Sequence, residues 1–217
     1  MSANFQSAPG RFGTMAARTP LVMPGMRIGL LGGSFNPAHA AHVMISDVAY
    51  RRLGLDAVWW IVTPGNPLKS HDDLPSQAER VADARALVQR PWLKITAFEA
   101  DLGTAYTAQT LAFLTRRHRG ARFVWLMGAD NLASFHKWQD WRGIAAAVAI
   151  AVVDRPGYRL AASASPAALA LAQDYVPERA AATLTNRPTP AWTFLSNQLS
   201  DLSSSAIRAG QRQKTDI

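Results

Sequence analysis

Two histidines and a glycine pair near the start of the chain are the residues best suited to chemistry. His39 and His42 close the run Gly32-Gly33-Ser34-Phe35-Asn36-Pro37-Ala38-His39-Ala40-Ala41-His42. A three-residue offset places both rings on the same side of a first helical turn. The glycines let backbone N–H groups come close to an anion, and a helix start adds partial positive charge. Donors converging in this way suit a phosphate. One alternative has one His capping the helix and the other packing in the core. A metal ion shared by the pair is another, but the turn offers no carboxylate and the chain has no Cys. Neither the GxGxxG dinucleotide turn nor the GxxxxGK[ST] phosphate loop is present, which argues against common dehydrogenases and P-loop kinases.

A second cluster lies near the other end, in residues 201–208 (DLSSSAIR). Read alone, three serines before Ile207 are a helix N-cap. Beside the histidine turn they suggest more. Ser204, Ser205 and Arg208, at one helix start, would form a second phosphate cradle.

These residues need elements to hold them. Residues 27–31 (RIGLL) read as a strand running into the glycine pair, and 40–53 as an amphipathic helix stopped by Gly54. Residues 57–63 (AVWWIVT) carry the strongest strand signal. A loop with three prolines fills 64–75, and Ser76 with Glu79 forms a capping-box signature for a helix over 76–89. Strands over 93–98, 122–127 and 148–153 alternate with a helix over 107–118 and a further loop and helix. Residues 160–190 are alanine-rich and weakly patterned, with a helix near 166–175, a last strand at 192–195 and a helix starting in 203–209. Such alternation predicts an α/β fold: a Rossmann-like, doubly wound parallel sheet with helices on both faces, in a single domain over 26–217. The glycine–histidine turn would lie at the carboxyl edge of that sheet. Residues 1–25, with six Pro and Gly after position 8 and no acid, read as a flexible N-terminal extension.

Composition bounds the rest. The chain has 217 residues, 48% hydrophobic and 18% charged, as in a globular domain with a substantial core. The absence of Cys excludes disulfide scaffolds and thiolate sites and fits a reducing, cytoplasmic setting. No stretch reaches the roughly 20 apolar residues of a membrane helix, so no membrane partner is expected. The net charge of +8 invites anionic partners, but half of that excess lies in the terminal segments 1–26 and 208–217. The basic run Arg116-Arg117-His118-Arg119 falls at a helix C-terminus, where cations favour the helix dipole. No nucleic-acid partner is therefore expected, and aromatic–basic interleaving and zinc-finger spacing are missing too.

The histidine run resembles the (T/S)-F-(D/N)-P-x-H-x-G-H signature of the nucleotidyltransferase superfamily, with Ala41 where that signature usually has Gly. Residues 201–208 resemble its I-S-S-T-x-I-R motif, with Leu202 and Ser205 as replacements. Only nine residues follow Arg208, where the family normally continues for a further helix. Between the two motifs, residues 66–69 (NPLK), 106–111 (YTAQTL), 128–132 (GADNL), 135–138 (FHKW) and 154–158 (DRPGY) resemble segments of bacterial nicotinate-nucleotide adenylyltransferases. The resemblance spans residues 28–208 and implies adenylyl transfer from ATP to nicotinate mononucleotide.

It also implies roles. Gly32, Gly33, Ser34, Phe35, His39, His42, Lys69, Ser204, Ser205 and Arg208 would bind ATP, with His39, His42 and Arg208 serving the reaction. Thr107 and Ala108 would hold the pyridine carboxylate through backbone N–H groups, Trp138 would stack on the pyridine ring, and Asp130 would contact the nucleotide. Physical chemistry agrees with these roles: a carboxylate suits a helix start, and a flat ring suits an indole face. Asp130 could equally be a helix N-cap, Lys69 a solvated loop lysine and Trp138 an ordinary packing residue. Mg²⁺ would be the cofactor, bound mainly by the ATP phosphates. The rivals are a related transferase acting on nicotinamide mononucleotide, pantetheine phosphate or a polyol phosphate, and a non-catalytic binder of nucleotides or nucleic acid.

Overall fold

The computed structural model describes residues 17–65 and 74–197. Strand β1 (Arg27–Gly33) leads through the glycine–histidine turn into α1 (Ala40–Leu53). Next come β2 (Ala57–Val62), α2 (Gln77–Leu87), β3 (Leu93–Thr96), the short α3 (Glu99–Leu102), α4 (Thr107–Arg117) and β4 (Arg122–Gly128). The second half has α5 (Ala129–Ser134), α6 (Trp141–Ala147), β5 (Ala149–Val153), α7 (Arg159–Ser163), α8 (Pro166–Ala170), a 3-10 segment Glu178–Asn186 and β6 (Trp192–Leu195).

The six strands form one sheet in the order β3-β2-β1-β4-β5-β6, and every neighbouring pair is parallel. This is the doubly wound order with its reversal between β1 and β4, so the fold is Rossmann-like. Each strand alternates its side chains between two buried layers. Trp59 packs with Leu30, Trp125 and Ile150 on one face, while its neighbour Trp60 packs with Leu31, Leu126 and Ala151 on the other. All six residues of β2 are buried, which explains why a continuous apolar run rather than an alternating one marks it. Burying one such side chain stabilises the fold by roughly 1.5–3 kcal/mol.

Local signals place the ends. Gly54 adopts the left-handed conformation at φ 60° and its N–H donates to Tyr50, ending α1 at Leu53. Ser76 and Glu79 form the expected capping box on α2, with Glu79 N–H 3.2 Å from Ser76 Oγ and Ser76 N–H 2.8 Å from Glu79 Oε2. β1 runs two residues past the expected end, because Gly32 and Gly33 stay in register with Ile61 and Val62. The helix expected near 166–175 is split into α8 and a 3-10 turn, Ala172–Asp174. Of the stretch expected to be a flexible extension to residue 25, the part described from Ala17 onward is tied to the rest of the chain at three points. Ala17 is buried in the first layer, Thr19 Oγ1 meets His118 Nε2 at 3.2 Å, and Gly25 N–H donates to Gly120 at 2.7 Å.

Candidate active site

The carboxyl ends of β1 and β4 lie side by side, and the chemically apt residues gather there. Gly32 owes its identity to packing as much as to ligand approach: a Cβ on it would lie 2.6 Å from the Trp125 ring. After Ser34 the chain turns at Phe35, which holds φ 46°, a conformation uncommon for an aromatic residue. Its side chain is buried and stacks on Trp60 at 4.8 Å, so Phe35 floors the turn instead of facing a ligand. The His42 ring rests on it at 4.8 Å. Trp60 is itself fixed by its Nε1–H, which donates to Ser46 Oγ at 2.7 Å.

His39 is the N-cap of α1 and His42 its third residue. The rings meet at 4.0 Å, and the His39 N–H donates to His42 Nδ1 at 3.3 Å. That bond makes Nδ1 the acceptor in His42, so its ring hydrogen sits on Nε2. Burial, then the neighbouring His39 and Arg155, lower the pKa of His42 to about 3. Burial and then Arg155 lower that of His39 as well. Both rings are therefore neutral at pH 7, yet each still has one N–H to donate.

Asp130 lies just after β4, in the first turn of α5. It is not the N-cap, a position taken by Gly128. Its Oδ2 accepts from Arg155 Nη1 at 2.6 Å, and a Cβ on Gly128 would lie 2.4 Å from its Oδ1. Asp130 Oδ1 and His39 Nδ1 are buried with no hydrogen-bond partner among the described residues. Adjacent open valences at the carboxyl edge of the sheet could be completed by a ligand.

Further out, Thr107 and Ala108 form the first turn of α4, where the leading N–H groups have no partner within the helix. α4 packs along α6, and Ala108 and Trp138 rest on the same buried layer. Trp138 is half-buried and stands edge-to-face with Phe135 at 5.4 Å and Trp125 at 6.3 Å. Ser34, half-buried, contributes its carbonyl to the scaffold. Lys69, Ser204, Ser205 and Arg208 lie outside the described residues.

Three residues of this region carried no role in the sequence reading. Arg155 joins Asp130 and bears electrostatically on both histidines. Its segment had drawn notice, but nothing in its spacing shows which residue it pairs with. Arg80 is buried at 1% exposure and spreads its guanidinium over four carbonyls: Ser34 at 2.6 Å, Thr63 at 2.9 Å, Pro75 at 3.0 Å and Pro64 at 3.2 Å. None of the ion pairs among the described residues involves it. Its signal was a cation on the same helical face as Ala84. Glu99, buried at the head of α3, is the third.

A sequence model of the cytidylyltransferase-like family matches residues 30–210, which is most of the chain. The chain belongs to the cytidylyltransferase-like family. It is similar to a probable nicotinate-nucleotide adenylyltransferase of Methylorubrum extorquens, with 55% identity over 84% of this chain and 99% of that one. A Rhizobium meliloti protein of the same name is 52% identical over 86% of this chain and 99% of its own. Among solved structures, the Plasmodium falciparum nicotinic acid mononucleotide adenylyltransferase complexed with NaAD superposes with a TM-score of 0.64 at 17% identity. That alignment covers 85% of this chain and 83% of the other, and it shows that this family member shares the fold.

Proposed function

We propose that the chain transfers the adenylyl group of ATP to nicotinate mononucleotide, releasing pyrophosphate and forming the deamido dinucleotide used for NAD biosynthesis. The observation that carries this reading is the convergence of His39, His42, Asp130 and Arg155 at the β1/β4 switch point. It is supported by relatives over half identical that are named for this reaction.

The acceptor phosphate oxygen attacks the α-phosphorus in line, and the bond from that phosphorus to the β-phosphate oxygen breaks. No covalent enzyme intermediate is needed, so positioning and charge stabilisation do the catalysis. His42 donates from Nε2 to a phosphate oxygen, and His39 donates beside it. Neutral donors suit this task, because their hydrogen bonds strengthen as charge builds on the transferring group. Ser204, Ser205 and Arg208 hold the leaving pyrophosphate, and Lys69 binds the triphosphate. Backbone N–H groups of Gly33 and Ser34 line the turn. Thr107 and Ala108 receive the pyridine carboxylate, Trp138 stacks on the ring, and Asp130 accepts from the nucleotide through its open Oδ1.

Mg²⁺ fits this donor set only if phosphate oxygens supply most of its ligands. Among the described residues no group of three or more His, Cys, Asp or Glu side chains is placed to hold a metal ion. When bound, the ion offsets phosphate charge. No helix among the described residues is long and apolar enough to cross a membrane, and a cytoplasmic setting accords with the substrates.

Pyrophosphate release from ATP, compared between nicotinate and nicotinamide mononucleotide, tests the reading. The nicotinate form should react at least about tenfold faster, the equivalent of ~1.4 kcal/mol. Equal rates would contradict a site that reads the carboxylate.

A further inference from the structure

One buried carboxyl has no part in the reaction described above. Glu99 is 4% exposed, and none of the ion pairs among the described residues involves it. Its partners are two hydroxyl groups. Thr110 Oγ1 donates to Glu99 Oε1 at 2.6 Å, and the Thr63 hydroxyl bears on the same carboxyl.

Burial is the larger influence on this carboxyl and pushes its pKa up, against the smaller pull of the Thr110 and Thr63 hydroxyls.

The groups joined in this way belong to different halves of the site. Thr63 follows β2; its N–H donates to Gly33 at 3.0 Å, and its carbonyl accepts from the same Arg80 nitrogen that holds Ser34. Thr110 belongs to the first turns of α4 and accompanies Thr107 and Ala108. The Glu99 carbonyl also takes the Thr104 N–H at 3.2 Å, and Thr104 Oγ1 accepts from Tyr106 N–H at 3.1 Å. Glu99 thus grips both the turn that leads into α4 and the helix itself.

We propose that Glu99 is a positioning residue for the acceptor half of the site. It fixes the start of α4 to the β2 end that Arg80 ties to the phosphate turn. The inference rests on the reading of Thr107 and Ala108 as the carboxylate subsite.

The test is steady-state kinetics on Glu99→Ala, Glu99→Gln and Thr110→Val in the full chain, with each substrate varied in turn. Glu99→Ala should raise KM for nicotinate mononucleotide about tenfold while KM for ATP stays within about twofold. Thr110→Val, which keeps the β-branch and loses the hydroxyl, should show the same split. Glu99→Gln supplies one donor and one acceptor in the same shape, and should return KM to within about threefold of the parent. A Glu99→Gln variant as impaired as Glu99→Ala would overturn the proposal, and so would KM values for both substrates rising together. Amide hydrogen exchange separates this idea from the functional reading. If the parent chain makes no product, Glu99→Ala should still speed exchange at residues 106–111 relative to β4, with Glu99→Gln restoring it. Unchanged exchange would sink the proposal by itself.

Discussion

The two polar clusters at the carboxyl edge of the sheet are built on opposite principles. At the β1/β4 switch point, His39 Nδ1 and Asp130 Oδ1 are buried and left without hydrogen-bond partners among the described residues. At the end of β2, four carbonyls share the Arg80 guanidinium, and Glu99 is bonded to Thr110 with the Thr63 hydroxyl bearing on it. An unsatisfied buried polar group costs about 1–3 kcal/mol, a cost that a bound ligand can remove. In the proposed reaction the first cluster faces the substrate, and the second, closed on itself, holds the first in place.

Breaking the closed cluster should therefore damage the fold, and breaking the open one should damage turnover. The largest effect is expected from Arg80→Met, which leaves four carbonyls without their shared donor. Unfolding free energy from denaturant titration should fall by about 3–5 kcal/mol. A variant as stable as the parent would erase the distinction drawn here. His42→Ala comes next: kcat should drop about 10²–10³-fold, as for loss of one donor to a charged transition state, with stability changed by less than about 2 kcal/mol. Near-normal turnover in that folded variant would remove the histidine pair from the mechanism. Trp138→Ala is expected to raise KM for nicotinate mononucleotide about tenfold through lost ring contact, with a smaller change in KM for ATP.

The smallest effect concerns acid. Both site histidines have pKa values lowered in the folded chain, His42 to about 3, against about 6.5 when unfolded. Below about pH 6.5 the unfolded chain therefore takes up protons that the folded chain does not. Stability should decline as pH falls from there toward 3. Thermal melts at pH 7 and pH 5 should show a lower Tm at pH 5, and His42→Ala should lessen that difference. An equal decline in the variant would place the acid sensitivity elsewhere.

Much of this arrangement was legible in the residues, for identifiable reasons. α1, β2 and β6 were readable because burial on both sides or on one stripe leaves a continuous or periodic apolar pattern. The capping box of α2 and the Gly54 stop of α1 were readable because they are local chemistry. Residues 160–190 were not, since alanine fits helix, 3-10 turn and core alike, and the observed elements there are short. The open cluster was half legible: His39 and His42 announce themselves by spacing and Asp130 by family resemblance, whereas Arg155 acts through residues far from it in sequence, Asp130 lying 25 positions away. The closed cluster was silent. Arg80 reaches Ser34 across 46 positions, and Glu99 reaches Thr110 across 11, and no local pattern encodes either contact.

The strand order has a consequence for how such a site can change over time. His39 and His42, proposed to handle phosphate, follow β1, a central strand paired on both sides. The turn proposed to read the acceptor follows β3, an edge strand of four residues paired on one side only. Mutations that remodel the edge disturb few neighbours, while those at the centre disturb many. Reading of the acceptor carboxylate and the histidine chemistry therefore sit on separately adjustable parts of one sheet, and selection can retune the first while the second stays fixed.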